Sequence, residues 1–343
     1  MSVAGRSIGA GVRVTKRIRL APGDLVFSRL HTQNGAFAFA DQEYHATGTF
    51  VPLLISEAKV DKCFLFWALH VGIPSLSASD TVGRETYKTS DILALEIPLP
   101  PLAEQRRLVA RIEALSARIA EARSLRLQAA EEAEALFDQG RATIFQTASK
   151  ASGARLEQLA VLERGKFSHR PRNDPRFFGG NHPWIQIAEI ERSNKFIREW
   201  SVTLNDEGLA ISKKFPKGTV VISIAATIGA TGILAFDCCV PDSIVGVTPR
   251  DGTDSEFLYH YLGFVRTHLE SVAPQSAQKN INLQILAPLP APKLPLFEQR
   301  RIVEYLDGLH ARVDTLKRLQ AETATELVAL LPSVLDRVFR GEL

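Results

Sequence analysis

The amino-acid sequence predicts an α+β fold in which two strand-rich domains are each followed by a long helix, with the two helices pairing as an antiparallel coiled coil. Three observations predict this organisation. One phrase of eight residues occurs twice, and each copy begins a segment with heptad periodicity. Each copy is preceded by a segment that has short apolar runs, many Gly, Pro, Asn and Asp residues, and little helical periodicity. The predicted domains are residues 1–101 and 149–295, and the predicted helices are residues 102–148 and 296–343.

The repeated phrase reads LAEQRRLV at residues 102–109 and LFEQRRIV at residues 296–303. The glutamates of the two copies are 194 positions apart (298 − 104 = 194). A proline-rich run, IPLPPL or APLPAPKLPL, leads into each copy, and proline favours an extended chain there. Each phrase is therefore predicted to begin a helix.

Beyond each phrase, apolar residues keep the alternating spacing of four and three residues that is typical of a coiled-coil seam. Both copies place a polar residue, Arg126 or Gln320, at the same seam position, where it can fix the register. Pro332 is expected to kink or end the second helix. Two unrelated helices are less favoured, because they would not share phase and phrase. The predicted seam residues are Leu108, Ile112, Leu115, Ile119, Ala122, Ala129, Ala133 and Leu136, with the counterparts Ile302, Leu306, Leu309, Val313, Leu316, Thr323, Leu327 and Leu330.

The segments upstream of the helices also correspond. PGDLVFSRL and KGTVVISIA each place a glycine before a β-rich run, at 81 and 80 residues before the glutamate of the phrase (104 − 23 = 81; 298 − 218 = 80). The second run continues without charge from residue 219 to residue 236, a length that a membrane helix could use. Its β-branched residues and the glycines Gly229 and Gly232 favour two buried strands around a turn instead.

Composition excludes some classes of protein. The net charge is +3 (41 Lys and Arg against 38 Asp and Glu), which permits nucleic-acid binding without arguing for it. Three cysteines without a C-x-x-C spacing indicate neither a disulfide framework nor a zinc site, and a reducing, cytoplasmic compartment fits them best. No secretion signal is recognisable, and the eight histidines have no metal-ligand spacing.

These motifs resemble those of the DNA-specificity subunits of type I restriction–modification systems. The family's conserved region is a proline-rich run leading into L-x-E-Q-R-R-[LI]-V and a long helix. RGKFSHRPRNDPRFFGGNHPWIQI at residues 164–187 resembles the opening loop of a target-recognition domain. Ser276, Gln278, Asn280 and Ile281 resemble a Ser-x-Gln-x-Asn-Ile pattern, and FRGEL is a familiar ending in that family.

The resemblance implies a non-catalytic reader of DNA. Each target-recognition domain would read half of a split target in double-stranded DNA. The helices would space the two domains and dock methyltransferase subunits, expected in two copies, together with restriction or translocase subunits. S-adenosylmethionine is expected in the methyltransferase partner and not in this chain. The predicted partner-binding residues at the two helix starts are Glu104, Gln105, Arg106, Arg107, Glu298, Gln299, Arg300 and Arg301.

The residues themselves support DNA contact in the second domain. Five basic residues fall within thirteen positions, and Pro171 and Pro175 prevent a helix there, which predicts a rigid basic loop. Arginines at this density suit phosphate contacts and guanine reading, although a solvated loop without function would look similar. The candidate DNA-binding residues of this loop are Arg164, Lys166, His169, Arg170, Arg172 and Arg176.

Weaker candidates for DNA contact lie elsewhere. Lys213, Lys214 and Lys217 form a second basic cluster, which suits phosphates better than bases. Gln278 and Asn280 could read adenine edges, or could equally cap the turn before the proline run. In the first domain, the candidates that follow the GDLVFS strand are Arg29, Gln33 and Asn34.

Catalytic motifs are not found. The sequence has no G-x-x-x-x-G-K-[ST] phosphate loop and no Asn/Asp-Pro-Pro-aromatic motif of an amino-methyltransferase. A nuclease-like set can be drawn from Asp24, Glu57 and Lys59, but such short patterns arise often by chance. The sequence therefore predicts a non-catalytic subunit.

The first domain departs from the family pattern. Residue 1 aligns with residue 196, so the first domain lacks a counterpart of roughly residues 153–195. A misassigned start, a truncated gene or an unusual copy would each explain this difference. Two rival functions stay open at this point: a coiled-coil scaffold that does not touch DNA, and an inactive remnant of a specificity subunit.

Overall fold

The chain forms two compact units. The first unit comprises Met1–Gln128 and Leu319–Leu343, and the second comprises Ala129–Arg318. Each unit therefore combines one globular lobe with a stretch of each long helix. The computed structural model describes residues 17–29, 37–72, 79–80, 85–86, 89–273 and 281–342.

The lobe of the first unit is built from short strands and two helices, and the first long helix follows it. In chain order these elements are β1 (Arg17–Leu20), β2 (Leu25–Ser28), β3 (Phe37–Phe39), β4 (Tyr44–Thr47), β5 (Phe50–Leu53), α1 (Lys62–Gly72), β6 (Ser79–Asp80), β7 (Glu85–Thr86), α2 (Thr89–Leu93) and α3 (Leu102–Ser152). Strand β2 pairs with β3 and β5, β1 pairs with β4, and β6 pairs with β7, all antiparallel. Leu69 of α1 packs into the core of the three-stranded sheet with Phe27 and Phe37.

The lobe of the second unit has more strands and precedes the second long helix. Its elements are α4 (Leu156–Leu159), β8 (Ala160–Arg164), a 3-10 turn (Pro175–Phe177), β9 (Phe178–Trp184), α5 (Ile187–Arg192), β10 (Phe196–Ile197), β11 (Val202–Leu204), α6 (Asp206–Ala210), β12 (Lys214–Phe215), β13 (Val220–Ser223), β14 (Thr231–Leu234), β15 (Cys238–Cys239), β16 (Ile244–Pro249), α7 (Ser255–Val272), α8 (Leu283–Leu286) and α9 (Leu296–Phe339). One sheet has the order β10-β14-β13-β16-β8, and a second has the order β11-β9-β15-β12. Tyr261 and Leu262 of α7 pack with Val220 and Val245 in the main core.

The two long helices run antiparallel within each unit. In the first unit, Ile112 near the start of α3 packs with Leu335 and Val338 near the end of α9. In the second unit, the ring centroids of Phe137 and His310 are 5.0 Å apart, which places the later part of α3 against the early part of α9. The α+β class and the antiparallel helix pair predicted from the sequence are confirmed.

The seam prediction is wrong at its last position in both helices. Leu136 is 70% exposed and Leu330 is 42% exposed, whereas Phe137 is only 5% exposed. Leu331 packs against the core that joins the helices in the first unit. After Ala129 in α3 and after Thr323 in α9, the next two positions that face the partner helix are therefore each four residues further on. The reason is that a straight helix of 3.6 residues per turn drifts out of a strict heptad repeat.

Pro332 lies inside α9, which continues to Phe339. Of the two expected outcomes, an end of the helix at this proline is wrong, and a kink stays a prediction. The position is exposed, so the carbonyl group that loses its helical donor can be hydrated.

The internal repeat extends through the lobes. The sheet formed by β3, β2 and β5 corresponds to the pairing of β14, β13 and β16, and α1 corresponds to α7. The glycines that precede the central strands, Gly23 and Gly218, both have a φ angle of 85°, which a side chain would disfavour. In the described residues of the first lobe, no element corresponds to β8, β9, α5, β11 or α6.

The uncharged run in the second lobe forms β13 and β14, which pair antiparallel with Val220 opposite Ile233. The prediction of two buried strands around a turn is confirmed. No helix in the described part of the chain is long and apolar enough to cross a membrane.

A polar cluster around the buried side chain of His260 joins α9 to the second lobe. The Nε2 atom of His260, a side chain that is 3% exposed, lies 2.8 Å from Asp307 Oδ1. Lys195 Nζ donates to both Asp307 oxygens and lies 2.5 Å from Glu256. Burial lowers the pKa of His260 to about 4, so the imidazole is neutral at pH 7. Burial would raise the pKa of Asp307, but hydrogen bonds from Lys195 and His260 hold it below its usual range.

This histidine predicts a pH-dependent stability. Between about pH 6.5 and about pH 4 the unfolded chain binds a proton at His260 and the folded chain does not, so stability falls as the pH falls. Relative to a His260→Gln variant, the wild-type chain should lose on the order of 2–3 kcal/mol of unfolding free energy across that window. Urea unfolding at several pH values measures the difference, and a constant difference would contradict the prediction.

Candidate nucleic-acid interface

The predicted basic loop connects β8 to β9 and is fixed at both ends. Phe167 and Phe177 are buried, and the ring of Phe167 lies 5.2 Å from that of Trp184. The backbone amide of Ser168 donates to the carbonyl of Ile211 at 3.2 Å. The aromatic side chains therefore point into the lobe, which leaves the basic side chains at the surface.

The root of the loop is in close contact with the turn between β15 and β16. Gly165 N donates to Ile244 O at 2.9 Å, and Lys166 N donates to Val240 O at 3.1 Å. A Cβ atom at Gly165 would lie 2.2 Å from Pro241 O, so only glycine fits there. The turn that follows Pro241 is therefore held at a fixed position beside the loop.

Asp242, in that turn, binds three arginines of the loop. Arg170 Nη2 donates to Asp242 Oδ2 at 3.0 Å, and Arg172 Nη2 donates to Oδ1. Arg164 Nε donates to the backbone carbonyl of Asp242. The guanidinium groups of Arg170 and Arg172 remain about half exposed, with side-chain exposures of 54% and 48%. The structure thus brings together three of the predicted arginines around an aspartate that the sequence did not single out.

Two further candidates of the loop surround the ring of Phe177. The imidazole of His169 lies 4.7 Å from that ring, and its Nε2 atom lies 3.0 Å from Asp174 without hydrogen-bond alignment. The guanidinium of Arg176 lies 4.6 Å from the same ring and 3.8 Å from Glu207. Lys166 is exposed, and among the described residues its ammonium group has no ion-pair partner.

The three lysines predicted as one cluster divide into two groups. Lys213 Nζ lies 2.5 Å from Glu163 of β8, next to the basic loop. Lys214 Nζ lies 3.4 Å from Asp237, which also accepts a hydrogen bond from the backbone amide of Lys217. These two interactions, the amide first, lower the pKa of Asp237. Lys213 therefore belongs to the surface of the basic loop, whereas Lys214 of β12 and Lys217 of the turn that follows lie beside Asp237.

Of the remaining candidates for DNA contact, the structure describes one. Gln33, Asn34, Gln278 and Asn280 lie outside the described residues. Arg29 is exposed at the end of β2, with its backbone amide bonded to Thr49 O at 2.9 Å.

The glutamines of the repeated phrase have a role different from the one predicted. Gln105 and Gln299 are 0% and 2% exposed, so neither can lie on a partner-binding surface. Gln299 Oε1 accepts from Asp254 N at 2.9 Å, and its Nε2 donates to Gly252 O and Leu294 O. Gln105 makes the same three bonds, to Asp61 N, Lys59 O and Pro100 O. Each glutamine therefore ties a long helix to the lobe of its own unit.

The other residues of the phrase remain at the surface. Arg107 donates to Glu104 at 2.6 and 2.8 Å, and this bond lowers the pKa of Glu104. Arg106 is largely exposed, as are Arg300 and Arg301 in the second copy. A charged surface at each helix start is thus available to a partner.

Sequence reasoning missed Asp242, Glu163 and Asp237, the acidic partners of the basic residues. Asp242 is 70 positions from Arg172, and only the pairing of β8 with β16 brings the two segments together. No spacing rule could have found it. Among the described residues, no group of three or more His, Cys, Asp or Glu could hold a metal ion.

Comparison with known proteins identifies the family of the second lobe. The family described as the type I restriction modification DNA specificity domain matches residues 155–323, which include the basic loop and Asp242. The segment formed by residues 155–323 belongs to this family. It is 22% identical to the type I restriction enzyme EcoDI specificity subunit of Escherichia coli, over 90% of this chain and 76% of that relative. The EcoBI specificity subunit of Escherichia coli is 23% identical over 84% of this chain and 67% of that relative.

Two solved structures share the fold of this chain. The HsdS subunit from Thermoanaerobacter tengcongensis is 28% identical, with a TM-score of 0.64 over 94% of this chain and 82% of that one. A chain from a structure of the type I R-M system is 27% identical, with a TM-score of 0.77 over 96% of this chain and 85% of that one. The likeness in fold therefore extends over both lobes and both long helices.

Proposed function

We propose that this specificity subunit contacts double-stranded DNA through the basic loop of its second lobe, residues 164–176. The observation that carries the proposal is the half-exposed side chain of Arg172, whose guanidinium uses one N–H on Asp242 and retains others for a ligand. A guanidinium held along one edge can present its other edge to guanine or to a phosphate. Lys166 and Lys213, at the same surface, suit phosphate contacts that position the lobe.

The subunit reads a split target, with one half for each lobe, and positions other subunits of a restriction–modification complex. The two equivalent helix starts, with their exposed arginines, suit docking of two methyltransferase subunits, and restriction subunits join this assembly. In this proposal the chain itself is non-catalytic, and S-adenosylmethionine is bound by the methyltransferase. The family match and the repeat of helix and lobe support this arrangement.

The basic surface predicts a salt-dependent affinity for DNA. Replacing Lys166, whose ammonium group has no ion-pair partner among the described residues, with alanine should reduce the slope of log K against log salt by about 0.9, for one phosphate that is no longer neutralised. Fluorescence anisotropy of the full chain with a random-sequence duplex at several salt concentrations measures the slope. Arg111→Ala, on the exposed face of α3, removes a positive charge outside the lobe and should leave the slope unchanged.

The complete function is tested by co-expression with a methyltransferase subunit, followed by mapping of methylated adenines across the genome. A bipartite methylated motif that depends on this chain supports the proposal, and the purified chain alone should leave DNA unmethylated. A chain that binds no DNA at low salt and yields no methylated motif is a scaffold or an inactive remnant.

A further inference from the structure

The basic loop is less cationic than its sequence indicates. Four acidic residues lie among its basic side chains: Glu163 contacts Lys213, Asp174 contacts His169, Glu207 lies near Arg176, and Asp242 binds two guanidinium groups. Asp242 differs from the others because its one carboxylate contacts two arginines and its backbone carbonyl contacts a third. The charge available to a DNA phosphate therefore depends on this aspartate.

The two arginines bound to the carboxylate are not equivalent. Arg170 Nη1 donates to Phe167 O at 2.7 Å and to His169 O at 2.8 Å, and its Nη2 donates to Asp242. Three of its five N–H groups are thus used to hold the loop. Among the described residues, Arg172 donates only to Asp242. Arg172 is therefore the arginine of this pair that is available to DNA, and Asp242 fixes its direction.

The position of Asp242 is itself fixed. Its turn follows Pro241, whose carbonyl lies against Gly165 too closely for any side chain there, and Ile244 N donates to that carbonyl at 3.0 Å. A stability role is a weak explanation for the contacts, because ion pairs between half-exposed arginines and a carboxylate contribute little to stability. A carboxylate that is held in place and shared by two exposed arginines suits a role in orientation and charge control.

We propose that Asp242 is a positioning residue for DNA recognition, which aims Arg172 at the duplex and offsets its charge, so that binding to random DNA is restrained. This inference rests on the proposed function. A phosphate of random DNA must compete with a carboxylate that is already bonded to Arg172. The carboxylate repels the anionic phosphate, whereas a neutral base edge can accept from the N–H groups that the carboxylate leaves free. The aspartate therefore favours base recognition over general attraction to phosphates.

The test measures binding of the full chain to a random-sequence duplex as a function of salt. The Asp242→Asn variant should bind more tightly than wild type, with a slope steeper by about 0.9. Its advantage should therefore grow about 3.5-fold when salt is lowered from about 200 to about 50 mM. Asp242→Glu keeps the charge and should return the slope toward wild type. Asp251→Asn, at the opposite end of β16, removes the same charge and should change the slope much less.

A double variant shows whether Asp242 acts through Arg172. In an Arg172→Ala background, Asp242→Asn should give only a small gain. An equal gain in both backgrounds would mean that Asp242 is only a bulk charge, and weaker binding with a lower unfolding midpoint would mean a structural role. Either result overturns the inference while the proposed function stands. If neither wild type nor Asp242→Asn binds DNA at low salt, the proposed function fails and the inference falls with it.

Discussion

Replacing Gln299 with leucine should lower the free energy of unfolding of the second unit by about 3 kcal/mol or more. The side chain is 2% exposed and bonds three backbone groups, which are Asp254 N, Gly252 O and Leu294 O. Leucine has a similar volume and excludes water, so these groups would lose their partner inside the protein. An unsatisfied buried polar group costs about 1–3 kcal/mol.

Urea unfolding measures the loss. In a Trp67→Phe background, the fluorescence of Trp184 and Trp200 reports on the second lobe alone. Arg300→Gln is the matched control: it changes the neighbouring, exposed residue of the same phrase and should cost less than about 0.5 kcal/mol. Gln105→Leu should destabilise the first unit in the same way, because Gln105 makes the equivalent three bonds. A cost for Gln299→Leu no larger than that of the control would show that the phrase repeats for another reason.

In the proposed bipartite methylated motif, the two half-sites are separated by base pairs that the subunit does not read. Inserting one heptad into each long helix should lengthen this unread gap by about three base pairs. Seven residues add about 10 Å to a helix, and base pairs rise about 3.4 Å along DNA. The insertions belong at facing points, after Ala122 and after Leu327, because Arg123 donates to Leu327 O across the pair. Seven residues keep the apolar seam in phase, so both helices should still pair.

The measurement is adenine methylation mapped in cells that also contain the methyltransferase subunit. The half-sites should be unchanged and only their separation should grow. An insertion of four residues into one helix is the control, because it breaks the seam and should abolish assembly. Methylation by the heptad variant with an unaltered gap would show that the helices do not set the spacing.

Much of the fold could be predicted because its signals are local or periodic. The proline runs before Leu102 and Leu296 mark the helix starts, and glycines with positive φ precede the central strand of each lobe. The repeat then indicates that the two halves of the chain share the same order of a strand-rich lobe and a long helix. The phase of the seam beyond Ala133 could not be predicted in this way, because the choice between Leu136 and Phe137 depends on the exact twist of the paired helices.

In the candidate site, too, local features could be predicted from the sequence and long-range contacts could not. By itself the sequence determined that a rigid basic loop lies between residues 164 and 176, since proline and charge act on the chain locally. Only the tertiary structure decided which of its arginines is available. The pairing of β8 with β16 brings Asp242 to Arg170 and Arg172, and the packing of α7 against α9 turns Gln299 inward. Such contacts join residues tens of positions apart, and their formation depends on strand register and helix packing, which no local pattern encodes.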